Sequence, residues 1–547
     1  MTYDRLPPGT QRIEDKTGQK ILLAPQPNAD PNQPLNWSPF RKSLHMTILC
    51  FYALMVFAIL CVAVPLWQDF NTELGMSYAV LNDGYATNMA ALSVGCIIFV
   101  PVALRIGRRP VYLATALIML AAAIWQARMR TVGDMIGANV ISGLAGAVNE
   151  AVFQVTVSDL FFVHQRGTMN GIYLAIVIIG NYLGPVAAGY VAVSQHWRWV
   201  FWYCTIFMAI VALVMALFLE ETKYTPLVTD GREVVLSTAV DQGADDMLAK
   251  VNSTTKSATA ATRLDSISVD ATEAAQNTER RRLVEIDHSI PLKSYRKRHA
   301  LWSLDKQVTS ANRPPWMHFI QPFHILVTFP AVMFTALQYG FLIAMLAILA
   351  VTQATLYPFP PYNFTPIGVG NMNLPPAIGA ILGSLFGGPL NDYFIVQVAK
   401  RRGGIYEPET RLWLFLIPGA CMPVGLFMYG LTISRGMAWP INAVGAGFIG
   451  AAIGGCGDIS LTYCQDCYQY ILGDALTGVV FVRNIISTGL VFAVTPWIAG
   501  MGVYDMFVLL GCLSIAIALT CVPLIVWGRA WRARLAGRYE HFAAKQY

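Results

Sequence analysis

Three ionisable side chains within long apolar segments are the residues of this sequence that could do chemistry. They are Glu150, Asp458 and Arg483. An ionisable residue at the centre of a bilayer costs about 2.5–3.5 kcal/mol on insertion scales, so it is a functional candidate. A carboxyl group moved from water into a low-dielectric cavity holds its proton more tightly and can exchange it near neutral pH. We therefore predict that Glu150, and after it Asp458, couple proton binding to transport.

Each of the two carboxylates belongs to a stripe of small and polar residues at helical spacing. The first stripe consists of Gly146, Glu150, Gln154 and Ser158, with Asn149 beside it. The second consists of Gly450, Gly454, Asp458 and Thr462. Residues four positions apart share one helix face. We expect both faces to line a cavity and to contact a substrate.

The remaining site candidates are a cation and three aromatic residues. Arg483 could pair with Asp458 or Asp466, and a fixed ion pair between helices is the structural alternative for all the charged candidates. Tyr339, Trp67 and Tyr182 could stack on a flat or cationic substrate. Their alternative is the aromatic belt at the membrane interface.

The segments that hold these residues are long enough to cross a membrane. Charged residues make up 13% of the 547 residues, and 43 of the 70 lie in residues 1–42, 221–320 and 529–547. Soluble proteins carry about 25% charged residues. The residues outside these three stretches contain far fewer, so they cannot form a water-facing surface. This excludes a soluble enzyme. A bilayer core needs about 20 apolar residues per helix. Six such segments precede the long polar stretch and six follow it.

We therefore predict an all-α polytopic membrane protein with twelve transmembrane helices in two pseudo-symmetric six-helix halves. Lys and Arg concentrate in the loops on one side, which favours two cytosolic termini. The predicted regions are a polar N-terminal tail (1–42), an N-terminal half (43–220), a largely disordered cytosolic linker with a basic end (221–322), a C-terminal half (323–528) and a basic C-terminal tail (529–547). The cell membrane is the expected location, and the vacuolar membrane is the alternative.

The two halves show weak internal similarity. When Asp159 is aligned with Asp466, Gly143 aligns with Gly450, and Glu150 falls one residue out of register with Asp458. Weak symmetry between six-span halves is typical of secondary transporters that move around a central site. The repeat therefore supports a transport function.

Several short motifs carry a family resemblance. Arg105-Ile-Gly-Arg-Arg-Pro110 lies between the second and third predicted spans, and the fifth contains Gly180-Asn-Tyr-Leu-Gly-Pro185 followed by Gly189. Others are Trp197-Arg198-Trp199-Val-Phe201, Leu219-Glu220-Glu221-Thr222 and Arg402-Gly-Gly-Ile-Tyr-Glu-Pro-Glu-Thr-Arg411. Over residues 36–534 the chain resembles transporters of the major facilitator superfamily, and more narrowly the fungal branch related to drug:proton antiporters.

The resemblance implies roles in a conformational switch between the halves. The residues concerned in span five are Gly180, Gly184, Pro185 and Gly189, and in the loops they are Arg105, Gly107, Arg108, Arg109 and Asp392. Asn181, within the span-five motif, could hydrogen-bond a substrate or a neighbouring helix. The family's usual aspartate before the first basic loop residue is replaced by Leu104. A charge latch between the halves is therefore doubtful at the first loop, while Asp392 could still form one with a cytosolic Arg or Lys.

No cofactor is expected, and the absence of a recognisable nucleotide-binding segment favours a proton gradient as the energy source. Cys464 and Cys467 have no second pair with which to complete a zinc site. Asn363 begins an Asn-Phe-Thr acceptor sequence for glycosylation. The expected partners are a small organic substrate and the lipid bilayer, without nucleic acid or nucleotide, and the protein is expected to be a monomer.

Three functions fit these features. The first is proton-coupled efflux of a small organic compound, such as a drug-like toxin or a fungal secondary metabolite, by alternating access. The second is uptake of a cationic nutrient such as a polyamine, with the same carboxylates as cation ligands. The third is a membrane sensor that transports nothing.

Overall fold

The computed structural model describes residues 7–12, 30–161, 163–223, 294, 298–299, 317–401 and 405–543. These residues are almost entirely helical. They also include two short strands, Gln11–Arg12 and Ile405–Tyr406, which pair with each other. Most of the linker that the sequence predicts to be disordered lies outside the described residues.

The N-terminal half contains six spans. Their bounds are Pro39–Cys61 (span one), Tyr78–Ile106 (span two), Arg108–Ala127 (span three), Val132–Leu160 (span four), Val163–Ile178 continued by Gly184–Gln195 (span five), and Trp197–Phe218 (span six). A short helix, Trp67–Leu74, follows span one. Local sequence sets several ends: Ser38 caps span one through the Arg41 amide, and Thr131 forms a capping box with Asp134 at the start of span four.

The C-terminal half contains the other six. Span seven comprises Met317–Thr328 and Pro330–Leu356, and span eight comprises Leu374–Leu385 and Asn391–Arg401, preceded by the short helix Pro366–Asn371. Spans nine and ten are Arg411–Ser434 and Trp439–Cys467. The last helices, Leu472–Leu519 and Cys521–Ala543, form spans eleven and twelve, and the boundary between the two spans is Gly502 within the first of these helices.

The count of twelve spans is confirmed for the described part of the chain. Ten of its helices are long and apolar enough to cross a membrane, and one of these covers 75 residues, Gln469–Ala543. At 1.5 Å per residue that helix would be about 110 Å long, far more than a bilayer core of about 30 Å. It breaks at Gly502, whose φ of 83° is non-helical, so it makes two crossings: residues 472–501 and 503–543. Span eight, which a π-turn interrupts, supplies the twelfth.

Proline explains the π-turns of spans five and eight. These turns are Ile179–Leu183, just before Pro185, and Phe386–Leu390, which contains Pro389. A proline lacks the backbone N–H and its ring clashes with the carbonyl four residues earlier. One extra residue in the turn relieves that clash. The interruption of span five just before Pro185 therefore takes the form of a π-turn.

The glycines of both polar stripes pack against neighbouring helices. A methyl group added at Gly146 would lie 3.2 Å from the Leu60 side chain in span one, and one at Gly454 would overlap the carbonyl oxygen of Ala380 in span eight. Small residues allow such close helix approach in membranes. The prediction that these faces line a cavity is therefore wrong for their glycine portions, which are buried between helices, and it stays a prediction for their polar residues.

The first and the last described segments of the chain lie at one end of the bundle, which we call the termini side. The N-terminal segment Pro7–Arg12 is attached there to the C-terminal half. Its strand pairs antiparallel with Ile405–Tyr406, and Arg532 of span twelve donates to the carbonyl oxygen of Pro8 and to Thr10 Oγ1. The Arg532 guanidinium also pairs with Glu409 at 2.6 and 2.8 Å, with side-chain exposures of 2% and 8%.

We expect Arg532→Met to lower the free energy of unfolding by about 3–5 kcal/mol, since it leaves the Glu409 carboxylate buried and uncompensated. The midpoint of thermal unfolding in detergent measures the effect. Arg534→Met, at an exposed position two residues away, is the matched control. Adding Glu409→Gln to Arg532→Met should recover part of the loss. Equal midpoints for the two single variants would contradict this role.

Candidate functional site

The two halves meet at a buried ion pair. Glu150 of span four and Arg483 of span eleven pair through Oε1 and Nη2, and their side chains are only 9% and 7% exposed. Glu150 lies about 15 Å from the end of span four at Leu160, at 1.5 Å per residue. The pair is therefore well inside the membrane domain, where each charge depends on the other for its neutralisation.

A residue that sequence reasoning missed completes this pair. Asn484 Nδ2 donates to Glu150 Oε2 at 2.9 Å, and Asn484 Oδ1 accepts from Arg483 Nε at 3.1 Å. Its neighbour Arg483 was already a candidate, but a lone asparagine in an apolar helix carried no signal of its own. Glu150, Arg483 and Asn484 form a closed ring of polar contacts, which we call the central triad.

Tyr339 of span seven connects the central triad to Asp458. The Arg483 guanidinium lies over its ring at 5.1 Å from the centroid, within the range of a cation–π contact. The ring also approaches span ten, since a methyl group added at Gly457 would lie 3.3 Å from it. The Tyr339 hydroxyl interacts electrostatically with Arg483, Glu150 and Asp458. Of the three predicted aromatic contacts, Tyr339 is the one that the structure brings to the charged residues.

Asp458 lies apart from the arginine. Its side chain packs against span eight, where Gly387 leaves room for the Asp458 Cβ and Ser384 lies nearby. Among the described residues it forms no ion pair. The prediction that Arg483 pairs with Asp458 or Asp466 is wrong, because Arg483 points across the interface to span four and Asp466 is already paired with Arg411 at 2.5 Å.

The other polar candidates are less central. Asn149 is fully buried, and its side-chain amide has no hydrogen-bond partner among the described residues. Its backbone carbonyl accepts from Tyr173 at 3.0 Å. Gln154 is half-buried one turn from Glu150. Asn181 accepts a hydrogen bond from Cys61 of span one at 3.2 Å, so it contacts a neighbouring helix, which was one of its two predicted alternatives.

The glycine motif of span five packs against span one on one side and against the C-terminal half on the other. Gly180 and Gly184 lie against span one, where an added methyl group would contact Leu54 and Ala58. Gly189 instead faces the C-terminal half, and a methyl group there would overlap the carbonyl oxygen of Pro366. Gly370 returns the contact, since its added methyl group would lie 2.8 Å from the carbonyl oxygen of Pro185. At Gly189 and Gly370 the two halves are therefore in backbone contact, with no room for a larger side chain.

Further contacts close the bundle on the side opposite the termini. Asn82 of span two donates to the carbonyl oxygen of Val491 in span eleven at 3.0 Å. Asn371 donates to the Tyr190 hydroxyl at 3.3 Å, and the rings of Tyr78 and Phe359 meet at 5.5 Å. Each of these contacts joins one half to the other. The structure is therefore closed on that side.

The first loop motif contains a charge cluster in spite of Leu104. Arg108 pairs with Asp159 at 3.0 Å, and the Glu221 carboxylate accepts from the backbone amides of Arg108 and Arg109 at 2.9 and 3.1 Å. Glu221, at the end of span six, thus supplies a carboxylate at the N-terminus of span three, where the helix dipole favours it. This cluster lies within the N-terminal half, so it is not the latch between the halves that the replacement by Leu104 makes doubtful.

The remaining loop residues have separate tasks. Gly107 has a φ of 124° and makes the tight turn between spans two and three, a conformation that glycine adopts freely. The Arg109 side chain donates to the carbonyl oxygens of Leu219 and Ala216 and thereby fixes the end of span six, while Arg105 is exposed.

In the second half Asp392 pairs with Arg411 at 2.8 Å, and Arg411 also binds Asp466. Tyr406 donates to Asp466 as well, and burial raises the pKa of the Tyr406 hydroxyl, which keeps it a donor. The basic partner expected for Asp392 is thus in its own half.

Two sequence candidates lie away from the central triad. Asn363 is exposed in the loop between span seven and the short helix Pro366–Asn371, and its glycosylation stays a prediction. Cys464 and Cys467 are both buried, and the described residues contain no group of three His, Cys, Asp or Glu side chains that could hold a metal ion.

The sequence matches a known protein family over most of its length. The Major Facilitator Superfamily profile matches residues 46–488. The chain belongs to the major facilitator superfamily. Its relatives are transporters, so this multi-pass membrane protein is a transporter and not an enzyme.

Three relatives and one solved structure illustrate the similarity. An uncharacterized MFS-type transporter of Schizosaccharomyces pombe is 33% identical over 95% of this chain and 90% of its own length. Protein HOL1 of Saccharomyces cerevisiae is 28% identical over 95% and 92%. The efflux pump radE of Floropilus chiversii is 22% identical over 93% and 84%. The crystal structure of a POT family transporter in complex with 5-aminolevulinic acid, at 13% identity, has the same fold, with a TM-score of 0.56 over 91% of this chain and 98% of that one.

For this superfamily member we expect Gly189→Val to weaken the closure opposite the termini, because the new side chain overlaps the Pro366 carbonyl. Overpacking costs about 1–3 kcal/mol, which changes a conformational ratio about 5- to 150-fold. Spin labels at Thr72 and Ser434, exposed on that side of the two halves, should show a longer and broader distance distribution. Gly171→Val, where nothing lies within 4 Å of the added carbon, is the control in the same span. Identical distributions for both variants would contradict the assignment.

Proposed function

We propose that this transporter exports a small organic compound in exchange for protons. The supporting observation is the Glu150–Arg483 ion pair, which is buried and joins the two halves. A proton that binds Glu150 removes its charge, so the attraction to Arg483 is lost at the point where the halves meet. Proton binding is thereby coupled to relative movement of the halves, as alternating access requires.

The free energy of breaking this ion pair is similar to the free energy that shifts a protein between two conformations. Breaking a buried ion pair by neutralising one partner costs about 3–5 kcal/mol. Shifting a two-state equilibrium from 1:99 to 99:1 takes about 5.5 kcal/mol. One proton at Glu150 therefore supplies most of the required bias, and no cofactor is invoked.

In the proposed cycle the termini are cytosolic, so the closed side of the structure faces outward. The ionised pair then belongs to the state that accepts substrate from the cytosol. After the halves rock, a proton from outside binds Glu150 as the substrate leaves. The protonated protein returns and releases that proton to the cytosol. The similarity to a protein named an efflux pump supports this direction.

Uptake of an organic cation is the second candidate, and Asp458 favours it. Since Arg483 is neutralised by Glu150, Asp458 is a carboxyl group of the site without an ion-pair partner among the described residues, and a cationic substrate would compensate its ionised form. The Tyr339 ring beside it offers a surface for cation–π contact. A cationic substrate suits this arrangement in either direction of transport, so the direction must be measured.

Reconstitution in vesicles tests the proposal. We expect an imposed proton gradient to drive solute against the proton flow, with both followed in one sample by a radiolabelled solute and a pH-sensitive dye. Glu150→Gln should retain solute exchange at equal pH and lose proton-driven accumulation at least tenfold. Asp458→Asn should weaken cation binding about tenfold. A panel of organic cations, neutral toxins and amino compounds supplies the substrates.

Asp505→Asn is the matched control, since it removes an exposed carboxylate from span twelve and should leave both measurements unchanged. Movement of solute and protons in the same direction would replace export by the uptake candidate. Proton-driven accumulation that persists in Glu150→Gln would remove this residue from the coupling step.

A further inference from the structure

We propose that Asn484 is a positioning residue that keeps span eleven attached to span four while Glu150 carries a proton. This inference rests on the proposed function, in which Glu150 takes up the coupling proton. Asn484 is 1% exposed and is the second residue of span eleven that contacts Glu150. Consecutive side chains of one helix thus hold the same carboxylate, one by charge and one by a neutral amide.

The orientation of the amide follows from its two partners. A guanidinium has donors only, so the atom that receives Arg483 Nε at 3.1 Å must be the amide oxygen. The amide nitrogen then faces Glu150 Oε2 at 2.9 Å and donates to it. Asn484 therefore satisfies both members of the ion pair at once. Neither apolar substitution nor a carboxylate at this position can make both contacts.

The two contacts with Glu150 respond differently to a proton. Arg483 is held by charge, so its attraction falls when the carboxylate is neutralised. An amide N–H can donate to the carbonyl oxygen of a carboxylic acid as well as to a carboxylate. The proton on Glu150 Oε1 would then occupy the place that faced the guanidinium, and Asn484 would keep its bond to Oε2. The halves stay in register at this point while Arg483 is released.

Arg483 has two partners after its release from Glu150. Asn484 Oδ1 still accepts from its Nε, and the Tyr339 ring lies beneath its guanidinium. The freed Nη2 is the group that gains or loses a partner during the cycle. Asn484 therefore limits the movement of Arg483 as well as the movement between the helices.

An exchange of the amide and the carboxyl between the two helices tests this role. Glu150→Gln and Asn484→Asp are each isosteric, and together they place the carboxylate on span eleven and the amide on span four. The double variant keeps one acid, one amide and one guanidinium. We expect Asn484→Asp alone to lower solute exchange at least tenfold, because two carboxylates then compete for Arg483. The double variant should recover exchange to within about threefold of the unaltered protein.

The pH profile supplies a readout that a merely structural role would not move. In Asn484→Ala, Glu150 loses a donor to its charged form, so the midpoint of proton-driven transport against pH should shift upward by about one pH unit. Solute-independent proton flux should also rise, since the halves lose their contact when Glu150 is protonated. Monodispersity and the thermal midpoint in detergent show whether each variant is folded.

Two results would overturn the proposal. One is a pH profile and a proton flux in Asn484→Ala that match those of the unaltered protein. The other is a double variant that exchanges solute no better than Asn484→Asp. Failure of the proposed function is a separate outcome, because the unaltered protein would then show solute exchange without any proton movement. In that event the exchange assay would still report whether the positions of amide and carboxyl can be swapped.

Discussion

Glu150 and Arg483 bring opposite charges into the interior of a membrane domain, and each is tolerated there because the other is present. An unpaired buried charge costs several kcal/mol, whereas the pair is also satisfied by Asn484 on both sides. Since the partners belong to different halves, under the proposed function they separate only when a proton or another ligand neutralises one of them. Conformational change must therefore occur mainly at the two ends of the bundle, around a centre that stays joined.

The two ends of the bundle are built accordingly. Opposite the termini, the contacts cross between halves and are made by backbone, amides and small residues, as at Gly189 with Pro366 and at Asn82 with Val491. On the termini side, the described charge clusters lie within one half: Arg108 with Asp159, and Arg411 with Asp392 and Asp466. Neutral contacts between halves can separate without exposing a buried charge. The ionic clusters hold each half rigid while it moves.

Hydropathy and charge placement were sufficient to predict twelve spans, since both follow from the thickness of the bilayer. The three ionisable candidates were visible for the same reason. Their pairing was not visible, because it depends on how span eleven is rotated against span four. Asn484 escaped notice because it has no distinctive local pattern. Glu221 belongs to a motif, but its position at the start of span three was not visible, because each of the two residues acquires its role from a residue far away in sequence. The glycines of the two stripes were wrongly predicted to line a cavity, because close helix packing and cavity lining favour the same small residues.

The internal repeat also shows where symmetry ends. With Asp159 aligned on Asp466, the counterpart of Arg483 in span five is Ile176. One half therefore supplies an arginine and the other an aliphatic side chain at the corresponding place. As a consequence Glu150 is neutralised across the interface, while Asp458, its near counterpart, forms no ion pair in the described part of the chain. Two carboxylates at similar depth thus have different electrostatic surroundings. Under the proposed function, in which the protein binds both a proton and an organic solute, this difference allows each carboxylate to bind a different ligand.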